Sequence, residues 1–124
     1  MPSPVPTTVK TGDVYWCEPD PEDTVGSEQE KDRLWVIVSL TELHRGNCAV
    51  GVPLTLNIKM AVAHLIEIPA SELSLDGQTP PYDSVALTDQ IRALDKRRLR
   101  RRGGSISKHG LDSIRLGLQR LFGM

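Results

Sequence analysis

A chain of 124 residues has the size of one ordinary domain, and 39% apolar content can support a modest core. Aromatics make up only 4%, so Val, Leu and Ile must carry the packing. A formal net charge of −1 excludes a protein that is basic throughout. The charge is nevertheless uneven: residues 18–32, EPDPEDTVGSEQEKD, are strongly acidic, and residues 92–102, RALDKRRLRRR, hold six arginines and a lysine. Such a split marks a basic docking surface for a polyanion.

In chain order, MPSPVPTTVK carries prolines where a signal sequence has an apolar centre. Residues 1–11 read as a disordered lead-in to a single domain over 12–124. GDVYWCEP, 12–19, is a short apolar and aromatic run stopped by proline, a first strand. The acidic stretch that follows is a long polar loop. RLWVIVSL, 33–40, is rich in β-branched and aromatic residues, a second strand. TELHRGN is a turn or a single helical turn, and CAVGVPLT, 48–55, a third strand. Pro53 near its end implies a sheet edge or a bulge, because proline donates nothing to the ladder. MAVAHLIEI, 60–68, reads as a fourth strand, PASELSLDGQTPPYD as a long connection, and SVALT, 84–88, as a fifth. DQIRALDKRRL reads either as a helical turn or as irregular chain. The final segment is an amphipathic helix: Leu111, Ile114, Leu118, Leu121 and Phe122 recur on one face. Ser107 can cap its start and Gly123 its end. About five short strands and a terminal helix indicate a mainly antiparallel β domain.

Cys17 and Cys48 form no CxxC pair and read as free thiols in a reducing cytosol, with Cys17 turned into the core. No apolar run approaches the ~20 residues of a membrane helix, so a soluble cytoplasmic protein is expected. His44, His64 and His109 are isolated, without metal-ligand spacing, and read as surface residues. Phosphate loops and the GxSxG elbow are absent. An enzyme built from this chain is therefore expected to work without metal or cofactor, using Arg, Asp, Glu, Thr and backbone groups.

Four segments in order, GDVYWCEPDP, GSEQEKDRLWVIVS, VPLT and DSVALTDQIRALDKRRL, resemble the MazF/PemK family of toxin endoribonucleases. The match runs from about Gly12 to about Leu99 and is strongest in the last block. The resemblance implies a small SH3-like antiparallel barrel of the CcdB/MazF type with a C-terminal α-helix. It implies a homodimer with an RNA groove and a MazE-like antitoxin that occupies the groove. The implied activity is metal-independent, sequence-specific cleavage of single-stranded RNA, leaving 2′,3′-cyclic phosphate and 5′-hydroxyl ends.

By that resemblance Arg33 and Thr55 match the family's catalytic pair. The chemistry suits them. When a ribose 2′-hydroxyl attacks its own phosphate, charge gathers on the phosphate oxygens, and a guanidinium grips them through two parallel hydrogen bonds. A guanidinium with a pKa above ~12 is a poor base, so charge stabilisation is its surest role. Glu28 and Asp89 are the open alternatives for the proton acceptor, with Gln29 as a further positioning group. Gln90, Arg92, Lys96, Arg97 and Arg98 are candidate RNA contacts. Each has a plainer reading: Arg33 as a solvated group or a partner of Glu28, Thr55 as a β former, and Asp89, Gln90 and Arg92 as a network that closes the sheet. The arginine run reads as a phosphate contact, an attractor of an acidic antitoxin, or a solvated face. Trp16 and Trp35 could stack bases, but buried strand positions suit them better.

The chain also departs from the family pattern. Lys31 stands where a glycine is usual, Leu34 where proline follows the arginine, and Leu56 where a hydroxyl is common. Leu87 replaces the arginine assigned to catalysis in the PemK branch, so a MazF-type site is the better model. A rival reading comes from CcdB, a toxin of the same fold that binds DNA gyrase through an aromatic-glycine-aliphatic ending, because this chain ends Phe122-Gly123-Met124. A further alternative, raised by the changes around Arg33, is a family member that binds RNA or an antitoxin without cutting.

Overall fold

The computed structural model describes residues 8–17, 33–44, 46–55 and 66–124. Residues 60–65 of the expected fourth strand, the acidic loop, His64, Leu56 and most of the lead-in lie outside the described residues. Eight strands and one α-helix follow in order: β1 Asp13–Cys17, β2 Arg33–Ile37, β3 Cys48–Thr55, β4 Ile66–Ile68, β5 Leu73–Leu75, β6 Ser84–Ala86, β7 Arg92–Asp95, β8 Leu99–Ile106 and α1 Lys108–Leu121. All strand pairs are antiparallel, in the order β4-β6-β3-β2-β1-β8-β5, with β7 also on β3.

Strand β3 organises the sheet. One edge pairs with β2. The other pairs first with β7, through Cys48 to Gly51, and then with β6, through Leu54 and Thr55. Pro53 falls at that change of partner, inside the sheet and not at an edge. Val38 N–H donates to Val50 O at 2.9 Å, so by alternation Trp35 and Pro53 form a non-hydrogen-bonded pair. The imide nitrogen therefore points away from β2, and the Pro53 carbonyl still accepts from Leu87 N–H at 2.9 Å.

Each sheet face carries a core. Strands β7, β3, β2, β1 and β8 curl around Val9, Tyr15, Cys17, Trp35, Ile37, Ala49, Leu94 and Leu99. A 3₁₀ turn at Lys96–Arg98 links β7 to β8 and nearly closes this small barrel. The outer face carries the larger core, in which Val14, Val36, Val52 and Leu54 meet Ile68, Leu73, Ala86 and Ile106 beneath Leu111 and Ile114 of α1. The helix begins as expected: Ser107 accepts from Gly110 N–H at 3.0 Å. It ends with Gly123 at φ +70°, where the left-handed conformation favours glycine. Phe122 departs from the expected apolar face: it is 60% exposed.

Two extra residues in β8 kink it against β1, between the pairs Val14–Gly104 and Tyr15–Arg102 and between Trp16–Arg101 and Cys17–Leu99. β8 also passes very close to β5: a Cβ on Gly104 would lie 1.7 Å from the Ser74 carbonyl oxygen.

Several elements differ from expectation. The stretch read as a long connection contains β5, and the ambiguous DQIRALDKRRL becomes a 3₁₀ turn, β7 and a second 3₁₀ turn. His44 is not a surface residue. It is 8% exposed, its Nδ1 donates to Val9 O at 2.7 Å, and its Nε2 pairs with the Ser39 hydroxyl. Neither cysteine forms a disulfide; Cys17 is buried and Cys48 exposed.

Candidate active site

Arg33 opens β2 and Thr55 closes β3, both half-buried. They are 22 residues apart in sequence, and only strand register brings them together. The β2–β3 ladder pairs Ile37 with Gly51, Val36 with Val52 and Trp35 with Pro53. The paired stretch ends there; Arg33 and Thr55 stand two residues beyond it, on the same sheet face by alternation along their strands. On the other side of Arg33, Cys17 is its direct partner in β1. Trp35 and Pro53, buried beneath the pair, fix both strands. Among the described residues, the Arg33 guanidinium makes no hydrogen bond or ion pair. A fixed cation and a hydroxyl on one sheet face, with the cation uncommitted, can receive a phosphate.

The neighbouring candidates divide. Asp89 and Gln90 are exposed on the 3₁₀ turn Thr88–Gln90, which bulges from β3 between the end of β6 and the start of β7. Arg92 is half-buried opposite Gly51, and since opposed residues share a face, it projects from the side that carries Arg33 and Thr55. Glu28 and Gln29 lie outside the described residues.

The arginine run is less available than its charge implies. Lys96 is 9% exposed and its ammonium donates to the His44 carbonyl, a structural tie across the barrel. Arg97 forms a fork on Asp95, Nε to Oδ1 at 3.1 Å and Nη2 to Oδ2 at 2.8 Å. These bonds, with that from Arg97 N–H, hold the Asp95 carboxyl down at about 2. Arg101 pairs with Asp76 at 3.0 Å and Arg102 with buried Asp13 at 3.1 Å. Arg98 is half-buried. Trp35 belongs to the small core, and Trp16 is half-buried with its indole against Gly103.

One residue that sequence reading passed over joins the same row. β6 sets Val85 opposite Thr55, and β4 sets Glu67 opposite Val85. The signal was the alternation Ile66-Glu67-Ile68, which marks a half-buried strand with its glutamate outward. Among the described residues, no group of three His, Cys, Asp or Glu side chains could hold a metal ion, and no helix is long and apolar enough to cross a membrane.

Fold and site together define a small antiparallel barrel backed by a helix, with a cation and a hydroxyl at adjacent strand ends. The chain matches the model of the PemK-like, MazF-like toxins of type II toxin–antitoxin systems over residues 10–122, and it belongs to that family. No curated protein sequence matches it. Among solved structures it is similar to MazF from Deinococcus radiodurans, with TM-score 0.72 and 21% identity, covering 96% of this chain and 100% of that one. It is also similar to an endoribonuclease from a mycobacterial species, with TM-score 0.69 and 20% identity, over 98% and 95% of the two chains. A mycobacterial endoribonuclease in complex with its cognate antitoxin gives 0.68 and 20%, over 94% and 96%. At such identities the likeness speaks for the fold.

Proposed function

We propose that this toxin is an endoribonuclease that cleaves single-stranded RNA without a metal ion, with Arg33 and Thr55 at the scissile phosphate. The observation that supports the reading is the β2–β3 pairing, which leaves Arg33 and Thr55 at neighbouring strand ends on one sheet face. The ribose 2′-hydroxyl attacks the adjacent phosphorus, the bond to the 5′-oxygen breaks, and the products are a 2′,3′-cyclic phosphate and a 5′-hydroxyl. Arg33 holds the phosphate oxygens through paired N–H donors as charge gathers there, and Thr55 donates to a third position. The proton acceptor is Asp89 or Glu28. Arg92, on the same face, and Gln90, on the adjoining turn, contact flanking nucleotides.

The family and the antitoxin-bound neighbour support a MazE-like antitoxin as partner; that it blocks this face, that the active form is a homodimer and that it acts in the cytoplasm belong to the same proposal. The test is incubation of the purified protein with a long single-stranded RNA in EDTA, followed by end mapping. Discrete cuts with 5′-hydroxyl ends, absent in Arg33→Ala, are expected. Intact RNA would overturn the reading. The exposed Phe122 and Met124, 60% and 89% accessible, keep one rival open, a toxin that binds gyrase through its C-terminus.

A further inference from the structure

Glu67 sits at the centre of β4, which among the described residues pairs with β6 alone. Its orientation is fixed by its neighbours. Ile68 is fully buried and Ile66 packs half-buried on the larger core, so a one-residue slip would expose both isoleucines. Glu67 must therefore project from the opposite face, which carries Val85 and Thr55 in register with it and, two residues beyond the end of the β2–β3 pairing, Arg33. It is exposed, and among the described residues its carboxylate has no hydrogen bond or ion pair. Buried Val85, 2% accessible, separates it from Thr55.

Distance sets what Glu67 can do. Two strand spacings place it about 10 Å from Thr55, and a third puts Arg33 at about 14 Å. That is too far for proton transfer at the phosphate those two residues hold, and it suits the base of a flanking nucleotide. A bare carboxylate beside a polyanion repels unless it receives donors, so it selects against bases that offer none. Single-stranded RNA presents open Watson–Crick edges. Guanine alone offers two adjacent N–H donors there, N1–H and the 2-amino group, which match two carboxylate oxygens. Adenine, cytosine and uracil each set an acceptor in one of those places.

We infer that Glu67 is a specificity-determining residue that reads a guanine beside the scissile phosphate. The inference rests on the nuclease reading above, and the experiment separates the two. Cuts are mapped on a randomised RNA pool with wild type, Glu67→Ala and Glu67→Gln. Binding of each to single-stranded oligodeoxynucleotides, which lack the attacking hydroxyl, is measured in parallel by fluorescence anisotropy. Wild type is expected to favour guanine over adenine about tenfold at one fixed position near the cut. Glu67→Ala should lose that preference. Glu67→Gln, whose amide pairs a donor with an acceptor, should move it toward adenine. Cleavage with no guanine preference, or one unchanged in both variants, overturns the role of Glu67 and leaves the nuclease intact. Guanine-selective binding that depends on Glu67, without cleavage, supports the reader and overturns the nuclease. A folded protein that neither cuts nor binds overturns both.

Discussion

Replacing Arg33 and Thr55 singly and together tests the active site most directly. In the proposed mechanism Arg33 supplies two charge-assisted donors to a phosphate whose charge grows in the transition state, so Arg33→Ala should cost about 10²- to 10³-fold in the cleavage step, or about 3–4 kcal/mol. Arg33→Lys keeps the charge but loses the planar fork, and should fall between that variant and wild type. Thr55→Val keeps the shape of the strand end and removes one donor to a charged group, about 1.5–3 kcal/mol. Because both residues hold one phosphate, the double variant should lose less than the sum, with a coupling of about 0.5–3 kcal/mol. Stability should barely respond to Arg33→Ala, since among the described residues the guanidinium has no hydrogen bond or ion pair to lose. Single-turnover cleavage of a long RNA in EDTA, beside urea melts of each variant, gives both quantities. Cleavage by Arg33→Ala within about threefold of wild type would mean less than about 1 kcal/mol of transition-state stabilisation and would remove Arg33 from the mechanism. Strict additivity would mean that the two residues serve different groups.

Lys96→Met should lower stability by about 1–3 kcal/mol, because it strips the buried His44 carbonyl of its donor, and should leave RNA affinity unchanged. A normal urea midpoint with weakened RNA binding would instead make Lys96 a phosphate contact. Asp95 titrates at about 2 in the folded protein against an ordinary 3.8, so its contribution to stability is complete above pH 3.8 and is lost as pH falls through about 2. Asp95→Asn should therefore flatten acid unfolding followed by circular dichroism in that window, and an identical acid limb would contradict the Arg97–Asp95 fork. Gly104→Ala should separate β5 from β8, because its Cβ would lie 1.7 Å from the Ser74 oxygen, and the variant should melt well below wild type or fail to fold. Removing Phe122–Met124 should leave RNA cleavage intact, whereas a gyrase-binding toxin would lose its effect.

How far the fold was legible follows from element length. β3 matches its expected span, Cys48–Thr55, because eight residues give the β-branched pattern room to show. The helix matches because its cap and its apolar spacing agree over 14 residues. β5 and β7, three and four residues long, leave too little alternation to recognise, and they exist because β8 and β3 offer them an edge. The same physics governs the site. Arg33 and Thr55 were visible as residue types at strand ends, but their common face is a property of the β2–β3 pairing, whose last recorded pair is Trp35 with Pro53. The arginine run was visible as charge, and there the linear view overstated what is free. Asp95, Asp76 and Asp13 come from three different places in the chain and engage Arg97, Arg101 and Arg102, while the turn at Lys96 folds its ammonium inward. Once those pairs are counted, the electrostatics of this toxin no longer favour a broad polyanion surface on β8. They favour the face that carries Glu67, Val85, Thr55 and Arg33, where among the described residues the guanidinium and the carboxylate have no partner, an arrangement consistent with the proposed grip on one phosphate and reading of the base beside it.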